Sequence, residues 1–533
     1  MQSEILQDIK RGLRHSWFPF FGRFGTLTPV QMATIPKLLE GKNVIVSSPA
    51  ASGKTEAVLA PLVERILGKK GLNLLYIAPT RALVNDLFHR LKETLMACNL
   101  KGIARTGDRP NMPSVLPNVL FTTPESFDSL LCRYPKIWSD LRAVVLDEIH
   151  LIDNTYRGDQ VRVLIKRLTS EYARGPIFAA LSATLSRPRA VGQRYFDVQA
   201  VINIGVPRRV NLYLMKDWRE IIQFLRKRRW HKVIVFCNAR KDVERLYPEI
   251  SRFWPKERIL LHHGSLSRGV REQTERWLRE WSWGICISTM TLEVGIDIGD
   301  FDAAILYHPP PTPSSFQQRI GRACREDEDF EVIGYYENDA ERQCFEFYKE
   351  LANEGLVEEI EYSPDLSVAV QQIFSLLYAH PGGVDEERMM DILGPICQEE
   401  TANEIISHLL EKGWLAVRHS RIFATEKLMN LGERGLIHSN IPTFGHFQVI
   451  EFNTGRTIGE VFTSANEGDV FVLAGRPWQI VSIKKRRLYV RLLSTFPEKV
   501  YFKKRPSKGA FTHYLPEHLR RHPIDLQAKI LPN

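Results

Sequence analysis

Two short segments carry residues whose types and spacing suit joint chemistry. In Ser48-Pro49-Ala50-Ala51-Ser52-Gly53-Lys54-Thr55 a run of small residues ends in a lysine and a hydroxyl. It follows the apolar run Asn43-Val44-Ile45-Val46 and opens a helix-like segment, the context in which backbone N–H groups and a helix N-terminus cradle phosphates. There Ala51, Ser52 and Gly53 line the loop, Lys54 reaches the β- and γ-phosphate oxygens, and the Thr55 hydroxyl ligates Mg2+. Ser48 stands where Gly or Ala is more usual and Ala51 where Gly is common, and both are small enough to leave the loop open. The second segment, Ala143-Val144-Val145-Leu146-Asp147-Glu148-Ile149-His150, sets two carboxylates directly after a buried run. Asp147 is placed to hold Mg2+ through water, and Glu148 to orient and deprotonate an attacking water. Together the segments specify nucleoside triphosphate hydrolysis.

Positioning these groups requires a scaffold of buried strands. Residues 43–46, 74–78, 119–122, 143–146 and 177–181 read as fully buried parallel strands, several ending at polar clusters, where an open α/β sheet binds ligands. The pattern restarts after Gly205-Val206-Pro207-Arg208-Arg209, with runs at 232–236, 259–262, 284–288 and 303–307, so two α/β domains lie in tandem. Three helix-like segments at 366–380, 385–393 and 399–412, followed by two short runs at 414–417 and 421–424, suit a winged helix. Short alternating runs from 447 to 493 suit a small β-barrel or sandwich. The expected domains are 1–205, 210–360, 361–440 and 441–533.

At 533 residues, 44% apolar and 25% charged, the chain has the composition of several packed domains rather than of a disordered or collagenous protein. It contains neither a signal-like start nor an apolar run long enough to cross a bilayer, so a soluble, cytoplasmic protein without membrane association is expected. Seven scattered cysteines without a C-x-x-C pair argue against a disulfide framework or zinc site. Of the net charge of +10, residues 484–533 supply all, with 13 Lys/Arg against three acids, while the first 483 residues balance at 59 against 59. Lys484 to Arg491 and Tyr501 to Arg505 interleave cations with aromatics, as single-strand binding surfaces do and as solvated hairpins also can. Trp478 fits either a stacking platform or a barrel core.

With both segments in place, the chain resembles the superfamily 2 helicases, whose DEAD/DEAH-type signature matches Asp147-Glu148-Ile149-His150. Over about residues 20–340 further matches follow in order. Thr28-Pro29-Val30-Gln31 resembles the Q motif, which implies that Gln31 reads the adenine edge and that an upstream aromatic such as Phe24 stacks on it. Pro79-Thr80-Arg81, Arg105 in Arg105-Thr106-Gly107-Asp108, and Thr123-Pro124-Glu125 match loops that grip the sugar-phosphate backbone. Such contacts position a strand without reading its bases. Ser182-Ala183-Thr184 matches the segment coupling hydrolysis to domain movement through Asp147 and His150. In the second half, Gly295 and Asp297 match the motif that approaches the nucleotide ribose, and Gln318-Arg319-Ile320-Gly321-Arg322-Ala323-Cys324-Arg325 matches the motif whose Arg322 and Arg325 act as arginine fingers, with Gln318 beside them. Asn238, Arg240, His263, Gly264 and Thr289 fall in loops that resemble the second domain's nucleic-acid contacts. Adjacent His262 and His263 point to opposite strand faces and make no metal site.

The segment 361–495, with Gly468-Asp469-Val470 to Pro477-Trp478, resembles the core of the Lhr-like (large helicase-related) helicases. The resemblance implies two tandem RecA-like parallel-sheet domains, then a winged helix and a β-barrel-like basic domain. It implies an ATP- and Mg2+-dependent monomeric motor that moves 3′ to 5′ on single-stranded or tailed duplex DNA, with a place in DNA repair and, in a prokaryote, at the nucleoid. An RNA or RNA–DNA hybrid substrate, or an ATP-gated clamp that does not unwind, stays open, because backbone grips do not separate these polymers.

Overall fold

The apolar runs become the parallel strands of two sheets. The computed structural model describes residues 2–48, 52–107, 112–182, 185, 187–204, 209–263, 268–289, 292, 301–311, 313–323, 329–354, 362–441, 446–455, 457–462, 467–468, 470–473, 476–484, 487–492 and 509–520. Strands β1 (Val44–Ser47), β2 (Leu74–Ile77), β3 (Gly102–Arg105), β4 (Val119–Thr122), β5 (Ala143–Leu146), β6 (Ile177–Ser182) and β7 (Ala200–Asn203) form one sheet in the order β3-β4-β2-β5-β6-β1-β7. Every pairing in it is parallel. The interior strands β1, β2, β4 and β5 are buried throughout because helices cover both faces, which is why they read as unbroken apolar runs.

Strands β8 (Val210–Met215), β9 (Lys232–Cys237), β10 (Ile259–His262), β11 (Gly284–Ser288), β12 (Ala303–Tyr307) and β13 (Phe330–Tyr335) form a second parallel sheet, ordered β10-β11-β9-β12-β13-β8. Each sheet has an apolar core on either face, led by Val46, Leu59 and Phe121 against Ile45, Leu75 and Trp138 in the first, and by Phe236 and Phe316 against Val235 and Leu246 in the second. This is the RecA-like pair expected from the sequence. Strands β3, β7, β8 and β13, absent from the apolar-run reading, are partly exposed, and Arg105, Asn203, Asn211 and Glu331 end or interrupt their apolar residues.

Beyond residue 361 come helices Ser367–Ala379, Glu386–Leu393 and Glu399–Glu411, with β14 (Val384–Asp385), β15 (Leu415–Arg418) and β16 (Arg421–Ala424) in an antiparallel sheet ordered β14-β16-β15. Strands β17 (His446–Glu451), β18 (Thr457–Phe462), β19 (Val470–Leu473), β20 (Arg476–Lys484) and β21 (Arg487–Leu492) form a five-stranded sheet, ordered β18-β17-β21-β20-β19, whose small core holds Trp478 with Val449, Ile480 and Val490. Residues 509–520, expected within the C-terminal β domain, pack instead into the helical unit. Phe511 and Tyr514 meet Phe374, and Asn440 accepts from Ala510 N and donates through its side chain to Ser367. No helix among the described residues is long and apolar enough to cross a membrane.

The helical unit is fastened to the first RecA-like unit through buried polar groups. Asp128, on the helix Pro124–Arg133, accepts from Ser375 Oγ at 2.7 Å, Gln372 Nε2 at 3.2 Å and Arg167 Nη1 at 3.4 Å, and lies 2.7 Å from His438 Nδ1. Asp159 accepts from the Tyr362 hydroxyl at 2.5 Å and from Asp365 N at 2.8 Å. Gln160 donates to the His438 carbonyl at 3.0 Å, and at the surface Lys166 pairs with Asp391 at 2.6 Å. Val163 completes the fastening by entering the helical unit's own apolar core.

Candidate nucleotide and nucleic-acid site

The chemistry-bearing residues collect at the C-terminal ends of the strands, where a parallel sheet leaves an open crevice. After β1 the chain reaches Ser48, and the helix Lys54–Ile66 starts at Gly53, whose φ of +82° is the left-handed conformation a glycine accepts without strain. Register sets the neighbours. Ser47 pairs with Ser182, so the loop after β1 lies beside the end of β6, and Asp147 N donates to the Ile77 carbonyl at 2.8 Å, holding the acid pair next to the loop after β2.

Lys54 is 8% exposed and its ammonium donates to the Ser48 carbonyl at 2.6 Å. Burial pushes its pKa down, Glu148 and Asp147 push it back up, and Arg322 adds to the lowering. Arg322 belongs to the second RecA-like unit, in the turn after the helix Pro313–Ile320, so its charge is felt across the cleft at Lys54 and at Glu148. Asp147 is 5% exposed; burial and the Glu148 charge raise its pKa, against the pull of Tyr76 and Lys54. For Glu148 burial acts upward, but His150, Lys54 and Arg322 outweigh it and hold the carboxyl below its ordinary value. A buried carboxylate within electrostatic reach of Lys54, at the start of the helix that also carries Thr55, fits a divalent cation, since hard oxygen donors at the mouth of a phosphate loop are what Mg2+ takes.

Glu148 adopts φ +42°, ψ +47°, a left-handed conformation that costs a non-glycine residue about 1–2 kcal/mol. The kink ends β5 abruptly, lets Glu148 N donate to Asp147 Oδ1 at 2.9 Å, and brings the Glu148 carboxylate to 3.3 Å from His150 Nδ1. His150 Nδ1 also lies 3.1 Å from Ser182 Oγ, so β6 is tied to the acid pair through one imidazole. Burial lowers the His150 pKa despite Glu148. Ala51, Thr184, Gly264, Gly295, Asp297 and Arg325 lie outside the described residues.

Gln31 is placed against the phosphate loop. Its side chain closes a capping box with Thr28 and donates to the Gly53 carbonyl at 3.3 Å, while Thr28 Oγ1 donates to the Ser52 carbonyl at 2.9 Å. The Q-like segment thus grips the phosphate loop itself. Phe24 is exposed, with Arg23 over its ring.

Among the expected backbone grips, Pro79 follows β2, Thr80 caps the helix Arg81–Ala97 by accepting from Leu83 N, and Arg81 is exposed, its guanidinium against Gly107. Thr123 and Pro124 start the helix Pro124–Arg133 at the end of β4. Arg105 departs from the expectation of a strand contact. It is 3% exposed and turned inward, donating to the Ser126 carbonyl and hydroxyl at 3.0 and 2.9 Å, because Ser126 lies on the helix packed over the end of β3. Glu125 is clamped by Arg157 through two hydrogen bonds of 2.7 and 3.2 Å. In the second unit Asn238 and Arg240 are exposed beyond β9, with Asn238 donating to the Pro309 carbonyl and accepting from Arg319, and Gln318 is half-buried on the helix below Arg322. Thr289 is buried after β11, its N–H donating to the His262 carbonyl. His262 and His263 each pair with a different glutamate, Glu275 and Glu244. Among the described residues the one trio near enough to share a metal ion is Asp128, Cys132 and His438, and there Arg167 and three further donors already occupy Asp128.

The geometry defines a class, and comparison with known proteins agrees. The DEAD/DEAH box helicase family matches residues 28–191 and the helicase conserved C-terminal domain matches 216–327, together about half of the chain. The chain belongs to the superfamily 2 helicases. Within them it is Lhr-like: it is 28% identical to the ATP-dependent helicase Lhr-Core protein 2 of Thermococcus barophilus over 91% of its own length and 64% of the relative's. Among solved structures it is similar to the Mycobacterium smegmatis helicase Lhr bound to single-stranded DNA and AMP-PNP, with a TM-score of 0.70 at 23% identity over 81% of this chain and 62% of that one. A second, the DUF1998 helicase MrfA bound to DNA, gives 0.69 at 20% over 90% and 73%. The chain spans just under two thirds of the length of its first curated relatives.

Proposed function

We propose that the chain is an ATP- and Mg2+-dependent helicase motor that binds ATP between its two RecA-like units and tracks one DNA strand across the strand ends above. The observation that carries this reading is Arg322, which reaches from the second unit into the electrostatic neighbourhood of Lys54 and Glu148 in the first. Lys54 would hold the β- and γ-phosphates, and Thr55 with Asp147 the magnesium ion, which when bound offsets phosphate charge. Glu148, kept ionised by the Lys54 and Arg322 charges, takes the proton of the attacking water. Arg322, with Arg325 as its expected partner, stabilises the transferring charge, and Ser182 with His150 carries the change at Glu148 to β6.

Pro79, Thr80, Arg81, Thr123, Asn238 and Arg240 would form the two halves of the strand grip. Their separation changes as the cleft closes and opens, which supports stepping. The order helix, strand, helix, helix, strand, strand over 367–424 supports a winged helix riding on the first unit, and the following sheet supports a β-barrel-like domain. DNA as substrate, 3′ to 5′ movement, action as a monomer in the cytoplasm and a repair role belong to this proposal, with support from the Lhr-Core relatives and the DNA-bound Lhr and MrfA structures.

The test is steady-state ATP hydrolysis without nucleic acid, with single-stranded DNA and with single-stranded RNA, for the wild type, Lys54→Ala and Glu148→Gln. DNA should stimulate the wild type, Lys54→Ala should lose turnover, and Glu148→Gln should bind ATP yet hydrolyse it very slowly. Near-normal turnover in Lys54→Ala would refute the site. Stimulation chiefly by RNA would move the substrate to RNA, and stimulation by neither polymer would leave a clamp.

A further inference from the structure

The opposite end of the second sheet, where its strands begin, carries a cluster that the motor reading does not use. The helix Trp218–Arg228 ends in Arg226, Lys227 and Arg228, followed by Arg229 at φ +58° and Trp230 just before β9. Arg226 Nη2 donates to the Phe253 carbonyl at 3.1 Å, which joins this corner to a second basic segment, Arg252, Lys256 and Arg258, just before β10. Arg226 to Arg229, Arg252 and Lys256 are exposed and Arg258 is half-buried. None of the seven forms an ion pair among the described residues, although Glu257 lies within the same segment. Asp302, the acid at the start of β12, is engaged by the backbone N–H groups of His231 and Lys232.

Part of the basic charge caps a helix C-terminus, which favours cations. That effect fades within one turn and does not account for Arg252, Lys256 and Arg258 on another segment. Aromatic rings are interleaved with the cations. Arg228 lies over Tyr213, Phe224 and Trp230 at 5.1, 5.3 and 5.6 Å, and Arg258 over Trp281 and Trp283 at 4.9 and 4.5 Å. Trp277 and Trp283 remain 37% and 36% exposed. Seven clustered cations without anionic partners, flanked by partly exposed indoles, match the repeating charge and stackable bases of a nucleic acid.

We propose that this face is a second nucleic-acid contact, taking the phosphate backbone of strand or duplex outside the cleft. It rests on the motor reading, since the same nucleic acid would pass through the cleft first. Strands of five or six residues separate this edge from the grips at the other, a distance of about 17–20 Å through the sheet and longer around it. A short strand held in the cleft therefore does not reach the patch, whereas a long or forked one does.

The experiment measures fluorescence-anisotropy binding of a DNA strand of about 10 nucleotides and one of about 40, at several salt concentrations. The proteins are the full chain and its variant Arg226→Glu/Lys227→Glu/Arg229→Glu/Lys256→Glu, with Arg226→Lys/Arg229→Lys as the charge-keeping control. The short strand should bind all three alike. The long strand should bind the glutamate variant about tenfold or more weakly, with a salt slope flatter by about 2–3, while the lysine control behaves as wild type. Equal loss on both lengths, or loss on neither, would overturn the proposal. If the wild type bound neither strand, the motor reading itself would fall, and this inference with it.

Discussion

The polar fastening between the first RecA-like unit and the helical unit makes a pH dependence that can be worked through. His438 is buried, with Nδ1 2.7 Å from Asp128 Oδ2. Burial alone would lower its pKa, but the Asp128 bond and the neighbouring Cys132 side chain raise it from 6.5 to about 9. Each tenfold change in proton affinity is worth about 1.4 kcal/mol, so protonated His438 contributes about 3 kcal/mol. Because the folded-state pKa lies above the unfolded one, this stability is fully present below about pH 6.5 and is lost as the pH climbs through about 9. The perturbation is His438→Asn, whose amide can still donate to Asp128 but carries no charge. Thermal unfolding of the full chain, followed from pH 6 to 10, should show the variant about 3 kcal/mol less stable at pH 6. At about 2 °C per kcal/mol for so large a unit, that is a midpoint about 6 °C lower, and the two proteins should converge near pH 10. Parallel pH profiles for variant and wild type would refute the reasoning, since every other titrating group is common to both.

Two further outcomes are expected. Arg322→Ala should bind nucleotide nearly as well as wild type but turn it over about 10³-fold more slowly, as loss of an arginine finger does; single-turnover hydrolysis checks this, and an unchanged rate would remove Arg322 from the site. Gly53→Ala places a Cβ 2.3 Å from Gln31 Nε2 at a φ of +82°, so at about 1–2 kcal/mol of strain the loop should weaken nucleotide binding roughly tenfold, measured by fluorescent-nucleotide titration.

Much of the fold was legible because a strand buried on both faces needs an unbroken apolar run. Val44–Ser47, Leu74–Ile77 and Ala143–Leu146 show such runs, and edge strands such as Gly102–Arg105, with one side towards solvent, do not. The candidate nucleotide-site residues were legible as a group because Lys54, Thr55, Asp147 and Glu148 sit within one or two residues of a strand end or a helix start. The inward direction of Arg105 was not legible because it depends on Ser126, twenty-one residues on. The basic face at 226–258 was hidden because charge summed over the first 483 residues cancels, although its cations cluster in space.

The sequence by itself determined the two α/β units, the phosphate loop and the acid pair, since local spacing and burial pattern are properties of contiguous residues. Tertiary structure alone decided that Gln31 grips Gly53 and that Asp128 meets His438, which is 310 residues away. It also decided that residues 509–520 complete the helical unit's core. Such pairings depend on how separate elements pack, and no periodicity within a segment encodes which distant side chain will satisfy a buried charge.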